Sequence, residues 1–357
     1  MLVSTTLTGN NAAIIGEALA SVVNWVDRCL VIDTGVTDDS LAIARAIAKD
    51  KFVARKFAWS RDFAAARNFA LDAAHEIGGT WAVTLDTDER VFVGQTDVRA
   101  RLAATTEGVV MLPYEDRTYV KERFFKLPVT ERFTGPTHEA YAAYKVGSKV
   151  FDDGYFSELP KTKDQSAAKF KRDVDILRAH TKKHPKDPRW HYYLGDSFRN
   201  LGRYEEAIAA YRACSKLRGW NEESAWACYH EAECWLARGL HNEAIDACAR
   251  GLALHAGIAE LAWLAGFASW RSGHHEQAAF WAKMAIPMGH FRGDGKGVHR
   301  IGFKNVNALY EGPFDILRFA LRSLGQEAAA DRAEADYHEA IAARTLTPAA
   351  AARITGR

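Results

Sequence analysis

The chain has 357 residues, 48% of them hydrophobic and 26% charged, a composition that fits a folded globular protein with room for two domains and excludes a largely disordered one. Lysine plus arginine (47) nearly balance aspartate plus glutamate (45), so a formal charge of +2 supplies no uniform field for nucleic acid or membrane. No apolar run reaches the roughly 18 to 20 residues that span a bilayer, so no transmembrane segment is expected.

The first residues, MLVSTTLTGNN, carry neither a basic segment nor a long apolar core. No secretory signal is therefore expected, and the expected location is cytoplasmic. Cys29, Cys214, Cys228, Cys234 and Cys248 form no Cys-x-x-Cys pair. They are expected to be buried, reduced thiols rather than zinc ligands or a disulfide framework.

Leu2 to Leu7 reads as a short strand, and Ala12 to Trp25 places Ile14, Ile15, Ala18, Leu19 and Val22 at helical spacing. Cys29 to Ile32 is a continuous apolar run, the pattern of a strand buried on both faces. It ends in Asp33-Thr34-Gly35, a turn, before helical spacing resumes over Ser40 to Ala48. Phe52 to Phe57 predicts a third strand, Phe63 to His75 a third helix and Thr80 to Leu85 a fourth strand. Alternation of this kind implies right-handed crossovers and an α/β, doubly wound sheet, whose ligands bind beyond the carboxyl ends of the strands. Asp33 and Asp86 both lie at such ends.

From about residue 165 the pattern is wholly helical and repeats. Leu194-Gly195…Leu201-Gly202…Glu206-Ala207 superimposes on Glu233…Arg238-Gly239…Glu243-Ala244 and on Gly266…Ser272-Gly273…Gln277-Ala278. The intervals from Ala207 to Ala244 and from Ala244 to Ala278 are 37 and 34 residues, and the second is the tetratricopeptide period. A degenerate fourth unit runs from Pro313 through Gly325 to Ile341. The expected division is thus a catalytic domain over 1–160, a basic helical junction over 161–189, repeats over 190–345 and a tail over 346–357.

Leu85-Asp86-Thr87-Asp88-Glu89 puts two carboxylates two residues apart after an apolar strand. Hard divalent cations take such oxygen ligands, and a diphosphate can complete the shell of Mg²⁺ or Mn²⁺. An acidic turn of this type more commonly caps a helix, so its place at the end of the fourth strand carries the reading.

These stretches, with Thr6-Leu7-Thr8-Gly9-Asn10, Val31-Ile32-Asp33-Thr34-Gly35 and Asp62-Phe63-Ala64-Ala65-Ala66-Arg67-Asn68, resemble family 2 glycosyltransferases. Arg123-Phe124-Phe125 and Arg132-Phe133-Thr134-Gly135-Pro136-Thr137-His138-Glu139 resemble a later stretch of one bacterial branch, which often carries C-terminal tetratricopeptide repeats. The resemblance implies an A-type glycosyltransferase fold and inverting transfer from a nucleoside-diphosphate sugar, a UDP-sugar being the expected donor. It implies that Thr6, Asn10 and Asp33 lie near the nucleoside, Arg67 by the donor pocket and Asp86 near ribose or metal. Asp88 is implied as a direct ligand of Mn²⁺ or Mg²⁺, and Glu139 as the candidate general base. Two departures stand out. Gly9-Asn10-Asn11-Ala12 replaces the family's usual Lys-Asn-Glu-Glu, and Asp152-Asp153-Gly154-Tyr155 replaces His-x-Gly-Tyr. Either Asp152 or His138 is then the candidate for an additional metal ligand.

Departure of a nucleoside diphosphate builds negative charge, which a metal and Arg67 can neutralise, while a carboxylate takes the acceptor's proton. Glu139 follows a Gly-Pro turn expected to face the cleft; a surface helix cap is its bland alternative. Arg117, Arg123 and Arg132 are candidates for phosphate or acceptor contact, or else solvated charges.

The repeats contain no catalytic constellation. Trp226, Trp235, Trp263, Trp270 and Trp281 are expected mainly in the repeat core, and the stack forms a groove suited to extended peptides. A protein or peptide acceptor is therefore the leading partner. Residues 161–189 hold ten basic and four acidic residues, a local +6, and residues 290–304 form a basic, glycine-rich loop with aromatics. Both keep a nucleic-acid partner open. The alternatives are the same chemistry on a nucleic-acid base or on a lipopolysaccharide or lipid-linked glycan, or a catalytically lapsed scaffold binding a partner through its repeats.

Overall fold

The computed structural model describes residues 1–94, 97–293 and 303–345. The chain folds as two compact units, with the boundary between Thr162 and Lys163.

The first unit opens with β1 (Leu2–Thr8), α1 (Ile15–Val22), β2 (Arg28–Asp33), α2 (Ser40–Ala48), β3 (Phe52–Lys56), α3 (Phe63–Glu76) and β4 (Trp81–Thr84). It continues through β5 (Glu89–Phe92), α4 (Val98–Ala103), β6 (Val109–Pro113), β7 (Val120–Lys126), α5 (Ala143–Val146), β8 (Ser148–Val150) and β9 (Tyr155–Glu158). Seven strands form one sheet in the order β3-β2-β1-β4-β7-β6-β8, and β5 pairs with β9 in a separate ribbon. β1 to β4 are mutually parallel, as the sequence predicts. β7 runs antiparallel to both its neighbours, so the sheet is mostly rather than wholly parallel. The strands after β4 have no counterpart in the sequence reading.

The sheet is covered on both faces because its strands send alternate residues to opposite sides. Cys29 and Val31 of β2 join Ile15, Leu19, Ala44 and Ala48 of α1 and α2 in one core. Leu30 and Ile32 join Ala70, Leu71 and Ala74 of α3 in the other. Phe124 and Phe125 of β7 divide in the same way. α1 buries Ile15, Ala18, Leu19 and Val22, a single helical stripe. α3 starts where Asp62 accepts the Ala65 N–H at 2.9 Å, a capping bond that fixes the register of Arg67 one turn later.

The second unit is helical: α6 (Lys163–Lys183), α7 (Pro188–Asn200), α8 (Tyr204–Leu217), α9 (Asn221–Ala237), α10 (His241–Leu254), α11 (Ala259–Arg271) and α12 (His275–Ala285). α13 (Val306–Leu309), α14 (Gly312–Ser323) and α15 (Glu327–Thr345) follow. The pairs α7/α8, α9/α10, α11/α12 and α14/α15 are the four repeats. Each turn holds a glycine at positive φ, namely Gly202, Gly239, Gly273 and Gly325 at +71° to +77°, a conformation that an L side chain strains. Within the first pair, a Cβ on Gly195 would lie 2.6 Å from the Tyr211 ring, so glycine is what lets α7 and α8 approach. Trp235, Trp263 and Trp281 pack on the repeat core, as their spacing predicts. The five cysteines are free and buried.

α6, read from sequence as a separate junction, inserts Val174 and Leu177 into the core of the first repeats and sets Arg178 against Phe198 and Glu206. It is part of the second unit.

Candidate active site

The parallel strands deliver their carboxyl ends to one edge of the sheet. Asp33 closes β2, and its Oδ1 accepts the backbone N–H groups of Val36 and Gly35, each at 2.8 Å. Those two bonds hold its carboxyl below the ordinary range. Asn10, just past β1, accepts the Thr37 N–H at 2.8 Å and donates to the Thr37 hydroxyl at 2.8 Å, which ties the loops after β1 and β2 together.

The centre of the site is Arg67 on α3. Its Nη2 donates to Asp86 Oδ2 and its Nη1 meets Asp86 Oδ1, both at 2.9 Å, a bidentate pair. Its Nε donates to Glu139 Oε1 at 2.5 Å. One guanidinium thus serves two carboxylates from remote parts of the chain. Burial alone would raise the Asp86 pKa, but Arg67, with Lys121 and Arg123 behind it, holds the carboxyl well below the carboxylate range. Burial likewise opposes the charge on Arg67, and Asp86 and Glu139 more than restore it.

The loop bearing Glu139 is pinned onto α3. Asn68 donates to the Phe133 carbonyl at 3.0 Å and accepts the Phe133 N–H at 2.9 Å, and Phe63 N–H reaches the Pro136 carbonyl at 2.8 Å. Thr134 pairs with Ala140 across the loop. Gly135 at φ +100° and His138 at φ +50° turn the chain between them, the second an uncommon conformation for a residue with a side chain.

Below the Asp86 turn, Glu89 accepts the Asp86 N–H at 3.0 Å through Oε2. Its Oε1 is bound by Lys121 at 3.2 Å and by Arg123. Arg123 is therefore not a phosphate ligand: it is 1% exposed and committed to Glu89. Arg132 pairs with Asp72 at 2.7 Å, and Arg117 donates to the Asp152 carbonyl at 2.8 Å.

Asp88 stands apart from this network. Its Oδ2 meets the Lys161 ammonium at 2.8 Å, and its carbonyl accepts the Leu159 N–H at 2.8 Å. The β5–β9 register explains why Lys161 is there. Glu89 pairs with Glu158, so Asp88 lies level with the residue after β9 and two positions from Lys161. The same register separates Asp152 from Asp88. The ladder runs from Glu89 to Phe92 before Asp152 is reached beyond Tyr155, about 13 Å along the strands at roughly 3.3 Å per residue. Asp152 and Asp88 therefore share no site in this structure. Thr6 is fully buried within β1, so its side chain presents no surface to a nucleoside. The sequence reading missed Glu89 and Lys161 as participants; the i, i+3 spacing of Asp86 and Glu89 was a signal for the first, whereas nothing local marks the second.

For a divalent ion the donor set is narrow. Among the described residues no three His, Cys, Asp or Glu side chains are grouped so as to hold a metal ion. Asp86 is held by Arg67, leaving the partly exposed carboxylate of Asp88 as the hard oxygen donor. One carboxylate plus substrate phosphates is a set that Mg²⁺ accepts, so the residues fit an ion shared with a diphosphate and do not fit an all-protein cage.

The first unit is thus a mostly parallel sheet with carboxylates gathered at its strand ends, and the second an array of paired helices. Residues 6–116 match the family model Glycosyl transferase family 2, so the first unit carries a domain of that family. The SPbeta prophage-derived glycosyltransferase SunS of Bacillus subtilis is 25% identical over 216 residues, 56% of this chain and 49% of that protein. A TPR repeat-containing protein of Synechococcus elongatus is 33% identical over 138 residues, 36% of this chain and 32% of that protein. The chain thus spans about half or less of the curated relatives it matches. Among solved structures, MamA is 17% identical with a TM-score of 0.41, covering 52% of this chain and 98% of that one.

Part of the basic charge is engaged where it is described. Lys161, Arg172, Arg178 and Arg189 form ion pairs, and Arg292 is held by Asp336 and Glu339. Residues 294–302 of the basic loop lie outside the described residues. No helix among the described residues is long and apolar enough to cross a membrane.

Proposed function

We propose that the chain is an inverting glycosyltransferase that moves a sugar from a nucleoside-diphosphate sugar, a UDP-sugar in our reading, to a peptide or protein acceptor presented by the repeats. The observation that carries the reading is Arg67 bridging Asp86 and Glu139 at the strand ends of a family 2 domain. Asp33 and Asn10, rigidly set by backbone bonds, face the nucleoside. Arg67 holds Glu139 by Oε1, which leaves Oε2 to take the acceptor's proton as it attacks the anomeric carbon. The same guanidinium keeps Asp86 ionised and fixed, so the charges near the leaving group are already oriented when the bond breaks. Asp88 would hold Mn²⁺ or Mg²⁺ together with the diphosphate, and the ion when bound supplies positive charge to the leaving group.

The Lys161–Asp88 pair favours a second reading of that charge balance, in which the ammonium itself moves to the diphosphate. Burial works against its charge, while Asp88 beside it keeps the Lys161 ammonium protonated above the usual lysine range. Both readings are tested by thermal-shift titration of UDP- and GDP-sugars with and without Mn²⁺, followed by transfer assays on wild type and Asp88→Asn. The metal reading expects donor stabilisation that needs Mn²⁺ and a variant that melts normally but has lost turnover. Full turnover of Asp88→Asn in excess EDTA would leave the ammonium reading standing. A chain that binds no nucleotide sugar under any condition is not a transferase.

A further inference from the structure

Three helices that open the repeats, α7, α9 and α11, contribute an aromatic and acidic surface that the transfer chemistry does not use. Glu222 and Glu260 are the second residues of α9 and α11, and both are almost fully buried. A buried carboxylate requires donors. The chain's own Phe303–Asn305 contributes some of them. Phe303 N–H points to Glu222 Oε1 at a long 3.4 Å, Asn305 N–H donates to Glu260 Oε1 at 3.1 Å, and the Asn305 amide donates to the Tyr229 hydroxyl at 3.0 Å. Asn305 is extended, with φ −118° and ψ 105°, and in extended chain the N–H groups of residues i and i+2 point the same way. The Phe303 ring sits among Trp226, Tyr192 and Trp220 at centroid distances of 5.6, 5.3 and 5.7 Å, parallel to Trp226 within 15°.

We infer that this surface is a peptide-binding groove, selective for an extended segment that places an aromatic side chain in the Tyr192–Trp220–Trp226 cup and gives backbone N–H groups at i and i+2 to Glu222 and Glu260. Phe303–Asn305 is its tethered occupant. The recognition elements repeat every second residue, as an extended segment requires: ring and N–H at one residue, N–H and amide two residues on. A tether holds its segment at a high effective concentration, so an incoming peptide competes with it and its apparent affinity is reduced by the fraction of grooves that are open. That such a peptide is the sugar acceptor rests on the function proposed above; the binding itself does not.

The test uses the full chain and a probe that needs no donor: an acetylated, fluorescently labelled heptapeptide of the chain's own Phe303–Leu309 sequence, read by polarisation. Wild type is expected to bind it weakly. Phe303→Ala, which removes the tethered ring, should bind it at least tenfold more tightly, and the milder Phe303→Leu should gain less. The same peptide with its phenylalanine replaced by alanine should bind Phe303→Ala at least tenfold more weakly. No gain in either variant while both melt cooperatively, or equal binding of the two peptides, overturns the proposal. So does loss of cooperative melting in Phe303→Leu, which would make the segment a structural strut. A protein that behaves as expected here but transfers no sugar refutes the transferase reading and leaves the groove intact.

Discussion

Both units bury charged side chains, but they assemble them in opposite ways. In the sheet unit, Arg67, Asp86 and Glu139 come from a helix, a strand end and a loop 19 and 72 residues away from the arginine. In the repeats, two pairs span one repeat, from α7 to α9. Arg189 reaches Glu223 and Arg199 reaches Glu233, each 34 residues on, and Arg212 and Arg250 both reach Glu231 from 19 residues to either side. Pairs set one repeat apart tie neighbouring repeats together side by side, and losing one leaves the other in place. A convergent cluster has no such redundancy. It serves where charges must be held in one arrangement against desolvation, which is the requirement at a reacting centre.

The largest expected effect follows from that contrast. Arg67→Ala leaves two largely covered carboxylates without the cation that bridges them. It should lower transfer by about 10²–10³-fold and destabilise the first unit by about 3–5 kcal/mol, as loss of one partner of a buried pair does. Transfer kinetics and urea unfolding check both. In the repeats, Glu231→Ala removes the fully buried acceptor of Arg212, Arg250 and the Trp235 indole N–H. Because the arginines remain nearly half exposed and can turn to water, the expected loss is smaller, about 2 kcal/mol. Donor binding should be unchanged. Equal loss of donor binding in both variants would break the distinction between the two kinds of cluster.

Acid sharpens the same distinction. The Asp86 carboxyl is held below its unfolded value of about 4, so its contribution is complete above that value and is lost as pH falls through the lower folded pKa. Burial instead pushes Glu223 up against the opposing pull of Arg189. Its sign is reversed: a raised carboxyl favours the folded state when protonated, and that benefit fades as pH rises through the folded value. Asp86→Asn should therefore cost stability at pH 7 and progressively less below pH 4. Glu223→Gln should cost less than about 1 kcal/mol at pH 7, since it removes a buried charge while keeping a polar group. Melting curves of both variants from pH 7 to pH 3 check the opposite slopes.

Much of this was legible in the sequence because periodicity reports packing. The continuous run Cys29–Ile32 gave a strand buried on both faces, and the recurring glycines gave the repeat turns, including the degenerate fourth. The family resemblance offered Arg67, Asp86 and Glu139 as candidate site residues, but not that one guanidinium would join the other two. That joining depends on Asn68 clasping Phe133, a tertiary contact with no local pattern. Arg123 shows the converse. Its motif suggested a phosphate contact, yet its place on β7 beside Glu89 commits it to a buried pair. The exchange of His for Asp at Asp152 was visible, whereas its remoteness from Asp88 follows only from the register of a four-residue ribbon.

Lys161 carries the smallest and most discriminating prediction. It lies just before the boundary between the units, and its ammonium meets the carboxylate that would hold a metal. If Asp88 binds Mn²⁺ with the diphosphate, Lys161 competes with the ion for one oxygen. Lys161→Ala should then lower the Mn²⁺ concentration needed for half-maximal donor binding by about two- to fivefold, the worth of a partly exposed ion pair of roughly 0.5–1 kcal/mol. Maximal transfer should change little. If the ammonium itself neutralises the leaving group, the variant should instead lose transfer at every Mn²⁺ concentration. A titration of donor binding and of transfer against Mn²⁺, run in parallel on wild type and Lys161→Ala, separates the two because competition moves the midpoint and participation moves the plateau.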